Sequence, residues 1–385
     1  MALSVAMIGT RGVPARYGGF ETAVEEVGRR LVEYGHRVRV YCRTGNSERM
    51  AHYLGMELVT LPALRSRTLE TLSHTGLSVA HLMAHSTDVA FVFNAANSPF
   101  LPLLRTVRIP VATHVDGLEW RRSKWGPNGR RYYRAAETAA VRWSDALIAD
   151  AQGISDYYTA EFDAPTTLLT YGAPILAATD ERKLAEVGVR ARGFHLVVAR
   201  FEPENHVELI VEGYVASGAR LPLLVVGSAP YADEYTARIR ALAENDPRVR
   251  LLGGVWDQDL LDALYAGSMT YLHGHSVGGT NPSLLRAIGA AAPAVAFDVA
   301  FNREVLGLDG DFFATPGDVA RLVEAAEADP DGEAARGKRL QGRATDYDWD
   351  QVARGYEQLA LDLAARRAAG PQRRARRVAK EVAVP

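Results

Sequence analysis

The stretch that decides the fold lies at the start of the chain, where residues 4–21 read SVAMIGTRGVPARYGGFE. The first five are mostly apolar and predict a buried strand over Ser4–Ile8, and the apolar spacing that follows predicts a helix over Phe20–Tyr34. Glycines at positions 9, 12, 18 and 19 lie between the two and allow turns and close backbone approaches that a β-carbon would forbid. A strand, a glycine-rich loop and a helix in this order are typical of a parallel α/β sheet.

The same alternation of short apolar runs and longer amphipathic stretches continues to about Gly172. Further strands are predicted in this half of the chain at Arg37–Cys42, Val89–Phe93, Val111–His114 and Ala146–Ala149. Helices are predicted near Thr68–Ala84 and Gly129–Trp143. These elements together predict one doubly wound domain.

The pattern starts again after a polar stretch, 177–192, that lacks sustained strand periodicity. The predicted strands are His195–Val198, Leu221–Val226, Val249–Leu252, Met269–Leu272 and Ala294–Ala296. The predicted helices between them are Val207–Ser217, Tyr231–Asn245, Leu260–Tyr265 and Pro282–Ala290. An apolar stripe predicts one last helix over Asp350–Ala368.

We therefore predict an α/β fold of two Rossmann-like doubly wound domains that face each other across a cleft. The cleft is expected at the carboxyl ends of both sheets, where open α/β sheets bind ligands. The predicted bounds are 1–175 for the N-terminal domain, 190–345 for the C-terminal domain, 346–368 for a helix that returns toward the first domain, and 369–385 for a basic tail.

The composition narrows the class of protein. A chain of 385 residues exceeds the size of one core, and 48% hydrophobic with 23% charged residues is typical of globular domains. Forty-four basic against forty-six acidic residues give a net charge of −2, so we expect no nucleic-acid partner. The single cysteine, Cys42, excludes an intrachain disulfide and every multi-cysteine metal site. Because no signal region and no run of about 20 apolar residues occurs, we expect a cytoplasmic protein.

The loop between the first strand and the first helix is a candidate binding loop through Gly12, Gly18, Gly19 and Glu21. A helix that starts there points its N-terminal amides toward the cleft and would favour an anionic or polyhydroxyl ligand. An ordinary strand-to-helix turn remains the alternative. The spacing of the glycines does not fit the dinucleotide fingerprint, which argues against nicotinamide chemistry.

Several motifs carry a family resemblance: Thr10-Arg11-Gly12 with Pro14, then Gly18-Gly19-Phe20-Glu21, then Gly35-His36 before Val38 and Val40. They resemble the retaining, nucleotide-sugar glycosyltransferases of GT-B fold, and more narrowly the bacterial rhamnosyltransferase-like group of polysaccharide assembly. The resemblance covers roughly residues 4–360. It implies that the N-terminal domain receives the acceptor and that the C-terminal domain binds a nucleoside diphosphate sugar.

Candidate catalytic residues follow the predicted strand that ends at position 114. His114, Asp116 and Glu119 offer an imidazole and two carboxylates, which suffice to orient a sugar hydroxyl and accept its proton. The family resemblance implies that His114 or Asp116 contacts the transferred sugar or the acceptor. The alternative is that all three only cap the loop and the following helix.

Basic and aromatic side chains alternate from Trp120 to Arg134 without an acidic residue. Such a surface suits an acceptor on a lipid diphosphate, because the cations bind phosphate while the rings enter the headgroup zone of an anionic membrane. RNA stacking and a plain solvated helix face remain alternatives. The residues assigned to this acceptor or membrane surface are Trp120, Arg121, Arg122, Lys124, Trp125, Arg130 and Arg131. Seven basic residues from Arg366 to Lys380 form either a solvated tail or a second lipid contact.

The resemblance identifies two donor-binding motifs in the second domain. Arg200 matches the family arginine that holds the diphosphate, whereas Asn205 stands where many of these enzymes carry a lysine. The stretch from His273 to Arg286 crosses from a strand into a helix started by Pro282, and helix N-termini bind phosphate. The donor-binding residues expected there are Gly278, Gly279, Thr280, Asn281, Ser283 and Arg286, with Glu304 nearby.

Arg286 is the main departure, because family members of this group usually carry a glutamate there. Four interpretations stay open: a different donor, a substitute for the missing lysine, loss of activity, or a structural pairing of Arg286 with Asp298 or Glu304.

The expected function is sugar transfer from a nucleoside diphosphate sugar to a saccharide acceptor, carried on a polyprenyl diphosphate. We expect no cofactor and no obligatory divalent cation, because Arg200 and helix N-termini can stabilise the leaving diphosphate. A peripheral position on the inner face of the cell membrane is also expected. The rival functions are a catalytically impaired nucleotide-sugar-binding protein and a nucleotide-sugar epimerase.

Overall fold

The computed structural model describes residues 2–15, 18–45, 50–64, 66, 69–115, 118–122, 125–176, 180, 182–227 and 233–365. It divides the chain into two compact units. The first comprises the residues up to Tyr171 together with the helix that begins at Trp349, and the second comprises Gly172–Asp348.

The first unit is built around one sheet. Its strands are β1 (Ser4–Ile8), β2 (Arg37–Arg43), β3 (His52–Tyr53), β4 (Met56–Leu61), β5 (Val89–Phe93), β6 (Val111–His114), β7 (Ala146–Ala149) and β8 (Thr167–Leu168). Its helices are α1 (Gly19–Glu33), α2 (Glu70–Ala84), α3 (Leu101–Thr106), α4 (Pro127–Trp143) and α5 (Gln152–Phe162), with short 3-10 segments at Ala95–Phe100 and Glu119–Arg121. The sheet order is β3-β4-β2-β1-β5-β6-β7-β8, and the β3–β4 pair is antiparallel while the other pairs are parallel.

The second unit repeats this plan. Its helices are α6 (Lys183–Glu186), α7 (Val207–Val215), α8 (Asp233–Glu244), α9 (Gln258–Gly267), α10 (Pro282–Gly289), α11 (Ala300–Leu306), α12 (Pro316–Ala328) and α13 (Pro330–Ala344). Its strands are β9 (His195–Val198), β10 (Leu223–Val226), β11 (Val249–Gly253), β12 (Thr270–His273), β13 (Ala294–Phe297) and β14 (Asp311–Phe313), with 3-10 segments at Pro203–Asn205 and Gly307–Asp309. The order β11-β10-β9-β12-β13-β14 is parallel throughout.

The predicted architecture of two Rossmann-like parallel-sheet domains is confirmed. Strands β1, β5, β6, β7 and β9 have the predicted bounds, because a parallel strand covered on both faces must be apolar along its length. All five residues of β5 are buried, for example. The sequence analysis missed the strands β3, β4, β8 and β14, which are short or alternate with polar residues, and the helices α3, α5, α6, α11, α12 and α13.

The last helix, α14 (Trp349–Ala364), packs against α1 and so completes the first unit, as predicted. Tyr356 places its ring 5.1 Å from that of Phe91 in the core. Asp350 accepts a hydrogen bond from Arg30 Nε at 2.6 Å, which fixes the start of α14 on the surface of α1. The predicted continuation of this helix to Ala368 and the basic tail lie outside the described residues.

Candidate functional site

Two loops leave the same edge of the second sheet. Strands β9 and β12 are hydrogen-bonded neighbours, with Thr270 paired to His195 and Tyr271 to Leu196. Because both strands run in the same direction, their carboxyl ends lie side by side. We call the segment after β9 the Arg200 loop (residues 199–206) and the segment after β12 the glycine turn (residues 274–281).

These two loops are joined by direct hydrogen bonds. The Ser276 amide donates to the carbonyl oxygen of Glu204 at 3.0 Å, and the ring nitrogen Nδ1 of His275 lies 2.9 Å from Asn205 Oδ1. Gly274 has to be a glycine, since a β-carbon there would lie 2.0 Å from the carbonyl oxygen of Asn205. The predicted donor-binding motifs therefore belong to one assembly within the second unit.

Arg200 presents its guanidinium at this edge. Its side chain is 55% exposed, and the distance from its Nη1 to Glu202 Oε1 is 3.8 Å. An ion pair this long and this exposed contributes at most about 1 kcal/mol. A phosphate group, which accepts two parallel hydrogen bonds from an arginine, would compete favourably with Glu202.

Asn205, which the sequence analysis expected to bind the donor in place of the family lysine, has a supporting position inside the protein. Its amide nitrogen donates to the carbonyl oxygen of Arg200 at 2.8 Å, its amide oxygen meets His275, and the residue is only 7% exposed. Both ends of the amide have partners inside the protein, so Asn205 holds the Arg200 loop against the glycine turn.

The glycine turn leads into helix α10. Gly278 adopts a φ of 133°, which favours glycine, and Gly278, Gly279 and Thr280 are buried. Asn281 caps the helix, because its Oδ1 accepts a hydrogen bond from the Ser283 amide at 2.9 Å. Pro282 has no N–H and the cap uses the Ser283 amide, so the first helical turn leaves the Leu284 amide for an anionic group.

Arg286 pairs with Asp262 of α9 at 3.4 Å, and their side chains are 24% and 18% exposed. The predicted structural pairing with Asp298 is wrong, because Arg303 binds that carboxylate at 2.7 Å. Burial raises the pKa of Asp262, and the charge of Arg286 opposes this shift. Glu304 lies half-buried on α11, where its carbonyl oxygen accepts a hydrogen bond from Arg343 Nη2 at 3.0 Å.

In the first unit, the predicted residue His114 lies at the carboxyl end of β6. Its ring centroid is 5.0 Å from that of Phe20 and 5.6 Å from that of Phe93, and the residue is 2% exposed. Burial lowers the pKa of His114 to about 3, so the imidazole is neutral at physiological pH. Its Nδ1 has no hydrogen-bond partner among the described residues. Because Phe20 follows Gly18 and Gly19, the glycine loop and His114 lie together.

The other two predicted catalytic residues have different outcomes. Asp116 lies outside the described residues. Glu119 is buried and has both carboxylate oxygens engaged: Oε1 accepts from Trp125 Nε1 at 3.3 Å, and Oε2 pairs with Arg122 Nε. This arrangement corrects the prediction that Glu119 offers its carboxylate to a sugar. The carboxylate binds Arg122 instead and so stabilises its own loop.

The candidate binding loop after β1 is packed tightly. A β-carbon on Gly12 would lie 2.4 Å from the sulfur of the buried Cys42. Gly18 has a φ of 80°, and α1 begins at Gly19. Glu21 turns back to accept a hydrogen bond from the Arg11 amide at 3.0 Å, while burial raises the pKa of its carboxyl group. These packing contacts account for the glycines and for Glu21 without a ligand. They agree with the alternative that this loop is an ordinary strand-to-helix turn.

The predicted acceptor or membrane surface divides into two parts. Arg122 and Trp125 bind Glu119 and so face their own loop, as given above. The remaining cations with described side chains are exposed: Arg121, Arg130 and Arg131. The guanidinium groups of Arg121 and Arg134 each lie 5.2 Å from the ring centroid of Trp120. Lys124 lies outside the described residues.

Comparison with known protein families assigns the two halves separately. Residues 2–174 match a family described as "Domain of unknown function (DUF1972)", and residues 194–328 match one described as "Glycosyl transferases group 1". The chain is 25% identical over 167 residues to O-antigen chain mannosyltransferase B of Escherichia coli, a match that covers 41% of this chain and 43% of that protein. A subunit of a UDP-N-acetylglucosamine–peptide N-acetylglucosaminyltransferase (GtfA) of Streptococcus gordonii is 28% identical over 118 residues, 30% of this chain and 22% of that protein. The matches thus span less than half the length of these relatives.

Solved structures match nearly the whole chain. Sucrose-phosphate synthase from Thermosynechococcus elongatus has a TM-score of 0.79 at 19% identity and covers 94% of this chain and 99% of its own. Anabaena Alr3699/HepE in complex with UDP-glucose has a TM-score of 0.77 at 15% identity, with 93% and 99% covered. The fold is GT-B. At these identities the GT-B likeness shows the fold alone.

Within this GT-B chain, the sequence analysis missed several residues of the site. It gave no role to His275, which joins the glycine turn to Asn205, although a polar residue just after a buried strand is a usable signal. Asp262 gave no signal, because its contact with Arg286 joins α9 and α10, which only the folded chain brings together.

Among the described residues, no group of three or more His, Cys, Asp or Glu side chains could hold a metal ion. Every helix in the described ranges of this GT-B chain is too short or too polar to cross a bilayer.

Proposed function

We propose that this chain is a glycosyltransferase that moves a hexosyl or deoxyhexosyl group, with rhamnosyl as a candidate, from a nucleoside diphosphate sugar to a saccharide acceptor. The bond between the anomeric carbon and the diphosphate oxygen breaks, and a bond from that carbon to an acceptor hydroxyl oxygen forms. The hydroxyl proton passes to the leaving diphosphate. The proposed reaction retains the anomeric configuration and requires no divalent cation.

The observation that carries this proposal is the contact between the Arg200 loop and the glycine turn at one edge of the second sheet. An exposed guanidinium and the N-terminus of α10 are groups of the kind that stabilise a leaving diphosphate. The match of residues 194–328 to the glycosyltransferase family supports the same assignment.

The acceptor is proposed to bind the first unit, near His114 and the loop that follows it. A neutral imidazole can orient a sugar hydroxyl by hydrogen bonding without carrying a charge into an apolar pocket. The exposed cations Arg121, Arg130 and Arg131 support an acceptor that carries phosphate, such as a polyprenyl diphosphate-linked saccharide at an anionic membrane surface. The O-antigen mannosyltransferase relative supports a role in the assembly of a surface polysaccharide.

A thermal-shift panel of nucleotide sugars followed by a transfer assay tests the proposal. We expect at least one nucleotide sugar to stabilise the wild type, Arg200→Ala to lose that stabilisation, and the stabilising donor to glycosylate a lipid-linked saccharide extract. Arg321→Ala is the matched control, because Arg321 is an exposed arginine on α12 of the same unit. No stabilisation by any nucleotide sugar would contradict the proposal.

A second candidate function, a nucleotide-sugar-binding protein without turnover, is favoured by one observation. Arg286 occupies the position of the family glutamate and is paired with Asp262. Tight binding of a nucleotide sugar with no transfer to any lipid-linked saccharide would support this candidate over the first. Conversion of the donor without an acceptor would instead support an epimerase.

A further inference from the structure

Helix α2 of the first unit lacks the charged outer side that surface helices usually have. From Thr71 to Ala84 it contains no Asp, Glu, Lys or Arg residue. Its inner side is part of the core through Val79 and Leu82. The side chains that it exposes to solvent over the same range are all apolar: Leu77, Ala80, Met83 and Ala84. The outer side of α2 therefore presents an apolar surface to solvent.

This apolar surface continues onto α3. A β-carbon on Gly76 would lie 3.2 Å from the ring of Phe100, so the middle of α2 packs against the start of α3. Leu103 and Val107 are four residues apart, which places both on one side of α3. We give the name apolar face to the exposed large side chains of the two helices, each 38–45% exposed: Leu77, Met83, Leu103 and Val107.

The apolar face belongs to the part of the chain where exposed apolar residues concentrate. Six of the eleven large hydrophobic residues that are exposed in the described ranges lie between Leu64 and Val107. Leu64 itself is held beside α2, because its amide donates a hydrogen bond to Ser73 Oγ at 2.9 Å. A single exposed leucine is ordinary on a protein surface, but a group of them marks a site of interaction with a protein or a membrane.

Two exposed arginines border the apolar face. Arg108 follows the end of α3, and Arg142 lies in the last turn of α4. The ends of these helices meet, because Arg105 Nη1 donates to the carbonyl oxygen of Trp143 at 3.2 Å. The nearby carboxylate of Asp145 is paired with Arg105 at 3.6 Å. Arg108 and Arg142 have no ion pair within the described part of the chain, so their charges are available to an anionic partner.

The row of cations continues along α4. Arg131 and Arg142 are eleven residues apart, about three turns of an α-helix, so both lie on the same side of α4. Both are exposed, whereas Glu137, the acidic residue between them, is buried. The cations thus connect the apolar face with the surface that the proposed function gives to a phosphate-carrying acceptor.

This combination of side chains fits a lipid surface better than a second copy of the chain. Apolar side chains can enter the boundary between lipid headgroups and acyl chains, and arginines beside them bind lipid phosphates. In a twofold dimer formed through the apolar face, the bordering arginines of the two copies would approach each other, and this repulsion opposes the pairing.

We propose that the apolar face docks this chain on an anionic phospholipid membrane, with its four side chains at the acyl boundary and Arg108, Arg131 and Arg142 on lipid phosphates. The inference rests on the proposed function, in which the acceptor is carried at a membrane, and it names the surface that makes the contact. The apolar face and the donor site belong to different units, so each can be tested without the other.

Co-sedimentation of the full chain with vesicles tests the apolar contribution. The wild type is expected to bind vesicles of phosphatidylcholine with phosphatidylglycerol more tightly than vesicles of phosphatidylcholine alone. Leu77→Ser is expected to lower the partition coefficient about tenfold, because one leucine leaves the acyl boundary, and Leu103→Ser is a second variant with the same expectation. Leu308→Ser is the matched control, since Leu308 is fully exposed in the second unit, and should bind like the wild type.

The same assay at rising salt concentration tests the cations. Arg108→Ala with Arg142→Ala is expected to weaken binding to the anionic vesicles about 10–30-fold and to flatten its decrease with salt. Arg240→Ala with Arg321→Ala is the matched control, because both of these arginines are exposed in the second unit.

The inference is overturned if the wild type does not bind the anionic vesicles, or if the Leu77→Ser and Leu103→Ser variants bind them as tightly as Leu308→Ser. Binding through the predicted basic tail alone would give the second result, because every variant keeps residues 369–385. A wild-type dimer in sedimentation velocity that Leu77→Ser converts to a monomer would assign the apolar face to a second copy and overturn it as well.

The thermal-shift panel separates these results from the proposed function. All of the variants are expected to keep the wild-type stabilisation by a nucleotide sugar, since none of their residues lies in the donor site. Loss of vesicle binding with this stabilisation intact supports the inference. Absence of any stabilisation in the wild type contradicts the proposed function, whatever the vesicles show.

Discussion

At the residue scale, burial is the main cause of the shifted pKa values of three titratable groups, His114, His273 and Glu137. His114 and His273 stay neutral because burial lowers the pKa of each to about 3. Glu137 of α4 shows the same effect with the opposite sign: it is 2% exposed, and burial raises its pKa to about 7 although Arg134 Nη1 and the Tyr157 hydroxyl donate to it at 3.3 and 3.0 Å. Desolvation disfavours the charged form of either kind of group.

The raised pKa of Glu137 predicts a pH-dependent stability. Between pH 4.5, the ordinary value for a glutamate, and about pH 7 the folded chain holds a proton that the unfolded chain has released, so the stability contributed by Glu137 falls as the pH rises. Glu137→Gln removes this dependence. The unfolding free energy of the variant relative to the wild type should therefore rise from pH 5 to pH 8 by up to about 3 kcal/mol.

Urea unfolding at the two pH values measures this change. Glu234→Gln controls for the loss of one negative charge, because the side chain of Glu234 is 94% exposed. Equal differences between Glu137→Gln and the wild type at pH 5 and pH 8 would contradict the prediction.

Because Arg286 forms an ion pair with Asp262, we predict that replacing Arg286 with the glutamate of the family lowers the stability of the fold. Arg286→Glu would place a second carboxylate beside Asp262, whose pKa burial already raises, and we expect a loss of about 1–3 kcal/mol in the free energy of unfolding. The double variant Asp262→Asn with Arg286→Glu should recover most of this loss. A double-mutant cycle by urea unfolding measures the coupling, and additive effects of the two substitutions would contradict it.

At the element scale, the joined Arg200 loop and glycine turn depend on the absence of one β-carbon. Gly274→Ala is expected to push the loops apart, lower the unfolding free energy by about 1–3 kcal/mol and weaken nucleotide binding. Gly342→Ala on α13 is the matched control, because nothing lies within 4 Å of its added β-carbon and alanine favours a helix. Unchanged nucleotide affinity in a folded Gly274→Ala variant would show that the contact between the loops is dispensable.

Helix α14 contributes to the first unit through a small number of buried side chains. Tyr356→Ala removes an almost completely buried ring from the contact with Phe91, and we expect a loss of about 3–5 kcal/mol in the free energy of unfolding. Gln358→Ala, an exposed substitution on the same helix, should change it by less than about 0.5 kcal/mol. Urea unfolding followed by circular dichroism makes the comparison, and equal midpoints for the two variants would contradict the role given to α14.

At the scale of the whole molecule, the architecture was more predictable from the sequence than the contacts of the candidate site were. Buried parallel strands such as β5 and β9 can be predicted from the sequence because both of their faces need apolar residues. The Arg200 loop and the glycine turn were predictable for the same reason, since each directly follows such a strand. Strands such as β4 were missed because buried and exposed residues alternate along them, so they lack a continuous apolar run.

Contacts made by side chains across elements were not predictable from spacing. The sequence made Glu119 a candidate catalytic residue, but the turn after it brings Arg122 onto its carboxylate. It suggested Asp298 for Arg286, whereas the packing of α9 on α10 supplies Asp262.

Hydrogen–deuterium exchange of the full chain, with and without a saturating nucleotide sugar, tests the central claim most directly. The account predicts that binding slows exchange in peptides that contain residues 199–206 and residues 274–283, and that Arg200→Ala abolishes the slowing in both. Slowed exchange elsewhere in the chain, with both of these segments unchanged, would contradict it.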